Sequence, residues 1–142
     1  MARRMLGLAM ILVLSLMVGC GKAGPKKPPL VDVAGNVQID GKPVPLGEIS
    51  LMVSGQAPVV LPIKDGKFSG KAMVGENLVR LYAYRIGKPI MMNDTPVGEP
   101  VKENYADPKY NDSSTATVKI EPAGSKDLKF DIESKPEAPP SP

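Results

Sequence analysis

Histidine and tryptophan are absent from this chain of 142 residues, and cysteine occurs once, at position 20. Without His there is no Ser–His–Asp or Cys–His arrangement, no common zinc ligand and no side chain that ordinarily titrates near neutral pH. A single Cys excludes an internal disulfide, so any folded domain rests on its core alone. Aromatic residues are few, two Phe and four Tyr. That scarcity, with no clustered basic face, argues against nucleic acid as a partner. After residue 20 no stretch of twelve residues shows a 3.6-residue apolar period, so helices are not expected there. What the chain has in quantity is punctuation, 16 Pro and 14 Gly, the composition of short elements separated by turns.

The first 19 residues differ from the rest of the chain. Met1-Ala2-Arg3-Arg4 is basic, residues 5 to 18 are apolar, and Gly19 precedes Cys20. This is the layout of a helical secretory signal peptide. The 15 residues from 5 to 19 would extend roughly 22 Å as a helix, short of the ~30 Å hydrocarbon core. Pro and Lys come at once afterwards, so a retained transmembrane helix is the poorer reading. Met17-Val18-Gly19-Cys20 resembles the bacterial lipobox, in which the thiol is acylated and becomes the new N-terminus. Met17 stands where Leu is usual. Two or more acyl chains hold a protein firmly in a membrane, at ~0.8 kcal/mol per buried CH₂. Cleavage would remove Arg3 and Arg4, taking 18 basic residues to 16 against 15 acidic ones, a net charge of +1.

Residues 21–29 are Gly, Pro and Lys with one Ala, a tether. With Cys20 they form a segment at 20–30, while residues 134–142 are Pro-rich and read as a disordered tail. Between them, residues 31–133 read as one β domain. Val31, Val33, Val37 and Ile39 keep to odd positions, and Asp40-Gly41 supplies a turn of positive φ. Ile49, Leu51 and Val53 repeat the alternation, as do Val59, Leu61 and Ile63, before a second turn at Asp65-Gly66 and a strand through Phe68. Pro62 cannot donate to a ladder and places its hairpin at a sheet edge. Residues 77–85 are apolar on both faces apart from Arg80, which predicts a central strand with a partly covered outer side. Ala116, Val118 and Ile120 face inward in the next strand, and Leu128, Phe130 and Ile132 alternate in the last. The expected fold is therefore a single antiparallel sandwich of about seven strands. Its expected core comprises Ile39, Ile49, Leu51, Val53, Leu61, Leu81, Val118, Leu128 and Phe130.

Residues 86–114 do not fit this rhythm. Loops beyond about 12–15 residues are usually functional or disordered, and this one carries Met91, Met92, Tyr105 and Tyr110, side chains that bury area readily. These four form the candidate partner surface. The competing reading of Tyr110 is a plug at the open end of the sandwich. The acids and amides of the segment, among them Asn93, Asp94, Asn104 and Asn111, do not have the spacing of a calcium loop and read as turn residues. No catalytic pair, metal set or cofactor motif emerges.

Asp40-Gly41-Lys42-Pro43-Val44-Pro45 before Ile49-Ser50-Leu51, and Asp65-Gly66-Lys67-Phe68, resemble the hairpins of bacterial carboxypeptidase-regulatory-like domains. Pro108-Lys109-Tyr110-Asn111, then Ser113-Ser114-Thr115, is similar to a segment common in planctomycete envelope lipoproteins. The resemblance covers residues 31–132. It implies a prealbumin-like (transthyretin-like) Greek-key sandwich and brings no catalytic residues with it. The chain departs from the pattern in its Met-rich insert at Met91-Met92.

These readings converge on a non-enzymatic cell-envelope protein held in a membrane by lipid on Cys20. The outer membrane is the favoured location, because Gly21 rather than Asp follows the Cys. The 86–114 segment would bind another envelope protein or a glycan. A structural spacer without a specific ligand is the alternative, and a carbohydrate-active hydrolase stands third. Labelling with a palmitate analogue and mass spectrometry of the N-terminal peptide are expected to find Cys20 acylated at the mature N-terminus. Cys20→Ser is expected to leave the protein unlipidated. An unmodified Cys20 on a freely soluble secreted protein would overturn the anchor.

Overall fold

The computed structural model describes residue 24 and residues 26–136; the signal stretch, Cys20 and residues 137–142 lie outside the described residues. The strands are β1 (Leu30–Ile39), β2 (Lys42–Pro43), β3 (Leu46–Val53), β4 (Val59–Lys64), β5 (Lys67–Met73) and β6 (Gly75–Ile86). They continue with β7 (Ile90–Met92), β8 (Thr95–Val97), β9 (Lys102–Asn104), β10 (Thr117–Ile120) and β11 (Ser125–Ile132), with a 3₁₀ turn at Pro108–Tyr110. Seven of these strands lie on one path, β10-β6-β3-β4-β5-β1-β11, and β2, β7, β8 and β9 are short additions. Within the path, β6-β3-β4-β5 is a Greek key, three consecutive strands with the fourth returning beside the first. The sheet curls until its two ends face each other across the core, so the domain is an all-β sandwich. One pair departs from the antiparallel expectation. β1 runs parallel to β11, with Val37 opposite Phe130 and Ile39 opposite Ile132. Alternation of side chains says which face a residue takes, and nothing about strand direction.

The curl is made at the β4–β5 hairpin. Asp65 and Gly66 both take positive φ, 50° and 74°, the geometry of a type I′ turn. Lys64 pairs with Lys67 across it, yet no further pair forms between these strands. Backbone alternation turns the nitrogen of Pro62, two residues before Lys64, toward β5, where a ladder would need a donor. The strands therefore part after one pair; the hairpin itself lies in the middle of the strand path, between β3 and β1, and not at the sheet edge expected for it. From the parting point the two halves of the sheet diverge and enclose the apolar rows.

Those rows supply the core. Val33, Val37 and Ile39 of β1 meet Ile49 and Leu51 of β3, Leu61 and Ile63 of β4, Phe68 of β5, and Val79, Leu81 and Ala83 of β6, all buried. Of the expected core residues, Ile39, Ile49, Leu51, Leu61 and Leu81 are buried. Val118, Leu128 and Phe130 are half-buried and pack against that cluster. They sit on β10 and β11, the two ends of the sheet path, where one flank has no neighbouring strand. Val53 corrects the expectation: it ends β3, is only half-buried and stands outside the cluster. Ala116, expected inward, is exposed, because the strand begins at Thr117. Order also extends past the expected start of the tail, since Ser134 bridges to Ala106 and the Lys135 amide donates to the Tyr105 carbonyl at 2.9 Å.

The odd-position row of β1 is interrupted by Gly35, which is buried. A Cβ there would lie 2.4 Å from the Leu128 carbonyl oxygen and 2.7 Å from Phe68 Cζ. The gap in the apolar row is thus where β11 approaches β1 most closely and where a ring closes over the backbone. Gly35→Ala is expected to cost about 1–3 kcal/mol by overpacking. Leu81→Ala is expected to cost about 2–5 kcal/mol through the cavity it leaves. Denaturant unfolding monitored by far-UV circular dichroism checks both, and a Leu81→Ala change below about 0.5 kcal/mol would contradict the core placement.

Candidate docking surface

β6 is the longest strand, and its outer end carries the long segment. It pairs with β3 as far as Ala83. Past that point β9 takes over as its partner, with Tyr84 opposite Asn104 and Ile86 opposite Lys102. The Gly87 amide donates to the Val101 carbonyl at 2.8 Å and closes the base of the intervening chain. The 86–114 segment is consequently two things: a hairpin arm at residues 88–100, and a packed plug at residues 102–114.

The plug is held by short polar side chains that bond backbone. Asn104 Oδ1 accepts from the amides of Ala83 and Ala106, both at 3.2 Å. Asn111 is buried; its Nδ2 donates to the carbonyls of Ala106 (3.5 Å) and Asp107 (3.4 Å), and its Oδ1 accepts from the Asp112 amide at 2.7 Å. Ser114 Oγ donates to the Val79 carbonyl at 2.6 Å and accepts from the Ala116 amide at 3.3 Å. Buried backbone groups need such partners where no strand supplies them. Asn104 and Asn111, read from sequence as turn residues, are in fact the clasps of this segment. Arg85 grips Glu103 through two bonds of 2.9 and 3.2 Å, and the guanidinium holds that carboxyl below its usual pKa. Lys109 pairs with Glu133 and lies 5.0 Å over the Tyr110 ring.

Of the four sequence-nominated residues, Met91 and Met92 lie on the exposed strand β7, on its opposite faces, and Tyr105 and Tyr110 lie elsewhere. Both tyrosines are half-buried against the core, so Tyr110 occupies the plug position. A second pair of tyrosines lies on the outer face of β6. Tyr82 and Tyr84 stack at 6.4 Å, donating to Asp112 (3.2 Å) and Glu48 (3.3 Å) respectively. Partial burial, with Glu48 beside it, pushes the Tyr84 phenol up to about 12. Asp112 of the plug reaches over this face, which accounts for its partial cover.

The arm is different in kind. Its strands β7 and β8 form a separate two-stranded sheet, with Ile90 opposite Val97, Met91 opposite Pro96 and Met92 opposite Thr95. Asn93 and Asp94 make the turn, both at positive φ, 49° and 61°. The sequence hid this hairpin, because a type I′ turn usually shows a Gly in second place. Every residue from 88 to 103 is exposed. Ile90 is 58% exposed, Met91 55% and Met92 64%, with Ile86 at 62% and Val101 at 51% by the root. Contiguous exposed aliphatic side chains of this kind mark interaction surfaces. Sequence reasoning named the two methionines and missed Ile86, Ile90, Val97 and Val101, whose grouping requires the turn.

The arm also stands at a defined pole. The Val74 amide bonds the Pro29 carbonyl at 3.0 Å and Leu30 pairs with Met73, so the tether joins the domain beside the start of β6. Twelve residues of β6, at ~3.3 Å each, separate that point from the root of the arm by about 36 Å. Asn111→Ala is expected to destabilise the domain by about 1–3 kcal/mol, since it strands buried carbonyls. Met91→Ser is expected to change stability by less than about 0.5 kcal/mol. Thermal unfolding of both variants checks this division. An equal loss in the two would show that arm and plug are one packed unit.

No family model matches the sequence, and no curated protein matches it. Among solved structures, the chain is similar to a DUF3823 family protein from Parabacteroides merdae, at 20% identity and a TM-score of 0.41, over 75% of this chain and 47% of that one. It is also similar to a DUF3823 family protein from Bacteroides ovatus, at 17% identity and a TM-score of 0.38, over 73% of this chain and 44% of that one. The chain spans about half the length of each.

Proposed function

We propose that this chain is a lipid-anchored cell-envelope protein that recognises another envelope component without catalysis, and that the β7–β8 arm is its docking element. The single observation behind the docking role is the arm itself: a hairpin with its apolar side chains in water, at the pole opposite the tether. A domain anchored through residues 20–29 would present that pole away from its own membrane. Strand edges and exposed aliphatic side chains suit a proteinaceous partner better than a glycan. The anchor rests on the signal layout and the lipobox-like Met17-Val18-Gly19-Cys20. Kinship with carboxypeptidase-regulatory-like, transthyretin-like domains is part of the same proposal, and the seven-strand Greek-key path supports it.

Excising residues 88–100 and closing Gly87 to Val101 through Asn-Gly tests the reading. The base of the arm is already a backbone bond, so the domain is expected to fold with an unchanged dichroism spectrum. The envelope proteins cross-linked to the acylated chain in intact cells are expected to change. If the excised protein folds and its cross-linked partners are the same, the arm is not a docking element and the spacer reading replaces this one.

A further inference from the structure

We infer that the cleft where β4 and β5 part is a binding site for a multiply charged phosphate ester, held by Lys64, Lys67 and Lys126. The cleft has a volume of about 530 Å³ and shares no lining residue with the arm. Two local features bring the three lysines to it. Lys64 and Lys67 flank the Asp65-Gly66 turn and form the one pair that joins β4 to β5. Opposed residues of a ladder take the same face, and both of these are exposed. Beyond them Pro62 parts the strands, and the gap is the cleft. Lys126 reaches it from a bulge. The three steps from Ser125 to Leu128 on β11 match two from Val33 to Gly35 on β1, so Lys126 and Asp127 together oppose Ala34. Bulges re-aim side chains. This one brings Lys126 to the cleft beside Ala34, whose methyl group leaves the space open.

The charges identify the ligand. Like charges directly opposite each other destabilise a sheet, yet Lys64 and Lys67 are the pair that opens this hairpin. Among the described residues no carboxylate lines the cleft, and the ion pairs take Lys71, Arg85, Lys109 and Lys119 instead. Asp32 is already held by Lys71 at 2.9 Å, with Lys126 a weaker neighbour. Three ammonium groups thus share one concavity that holds no counter-charge, and an anion relieves their repulsion. Lysine binds phosphate as a point charge, whereas the planar fork of arginine matches carboxylates two bonds at a time. A site of lysines alone therefore suits a compact, highly charged phosphate group better than a carboxylate. Asn36 and Ser69 add an amide and a hydroxyl for its oxygens. Leu46 pairs with Lys64 and Gly47 with Ala83, so Lys64 stands level with the outer end of β6, away from the entry of the chain at Pro29. That position, and the concave shape, favour phosphate on a soluble or polymeric ligand over the headgroups of a flat membrane beside Pro29.

The test uses the intact acylated protein in phosphatidylcholine nanodiscs at low salt, with inorganic tripolyphosphate as the probe and titration calorimetry as the readout. The wild type is expected to show one saturable site with Kd at or below about 0.1 mM, and the probe should raise its Tm. Lys64→Gln, Lys67→Gln and Lys126→Gln should each weaken binding about fivefold, and the triple variant should abolish it. Lys64→Gln should also leave the ligand-free domain at least as stable as the wild type, because it removes a like-charge pair. Lys102→Gln, on β9, and excision of residues 88–100 should leave binding unchanged. Absence of saturable binding at millimolar tripolyphosphate overturns the site, as does undiminished binding by the triple variant. Citrate bound as tightly as tripolyphosphate overturns the assignment to phosphate. Capture by vesicles of phosphatidylglycerol without any binding of tripolyphosphate assigns the lysines to a membrane surface and overturns the soluble ligand.

Discussion

The inner row of β6 is the constraint on which the rest of the structure depends. Val79, Leu81 and Ala83 are buried against β1 and β3, and this contact places one long strand through the middle of the domain. Both ends of that strand then have assigned work. Its first residues sit beside the point where the tether enters, and its last residues carry β9 and the arm. Burial of a row of aliphatic side chains is non-directional in itself. On a strand of twelve residues it nevertheless sets a distance, and that distance separates the entry of the chain at Pro29 from the root of the arm.

The curl comes from a local defect. Pro62 denies β5 a donor at the second ladder position, so the sheet opens at the Asp65-Gly66 turn and its halves wrap the core from both sides. A full β4–β5 ladder would have left a flatter sheet with one apolar face in water. Gly35 does complementary work on the other side. It admits the Leu128 carbonyl and the Phe68 ring within a distance that any side chain would forbid, and so lets β11 lie alongside β1.

Plug and arm show two ways of handling a segment that is neither core strand nor simple turn. Residues 102–114 lie against the core and need polar partners for buried backbone, which Asn104, Asn111 and Ser114 provide. Residues 88–100 lie in water, where backbone groups are satisfied without help and apolar side chains are not. The first arrangement closes the domain; the second leaves it with apolar side chains exposed. The same span of chain thus changes from packed plug to exposed arm at Gly87 and Val101.

By itself the sequence determined the β class, the number of main strands, the two Asp-Gly turns, the missing ladder donor at Pro62 and five of the core residues that prove buried. Each of these depends on near neighbours: side-chain alternation, a φ that only certain residues adopt, a missing N–H. Tertiary structure alone decided the parallel β1–β11 pairing, the reason for Gly35, and the half-burial of Val53, Val118, Leu128 and Phe130, because strand order and neighbours across the core are not local properties. The candidate surface was half legible. Met91 and Met92 stood out as apolar residues in a Pro-rich segment. Their grouping with Ile90 and Val97 depended on a turn of Asn93-Asp94 that lacks the usual Gly, and the reassignment of Tyr105 and Tyr110 to the plug depended on a core assembled from strands distant in the chain.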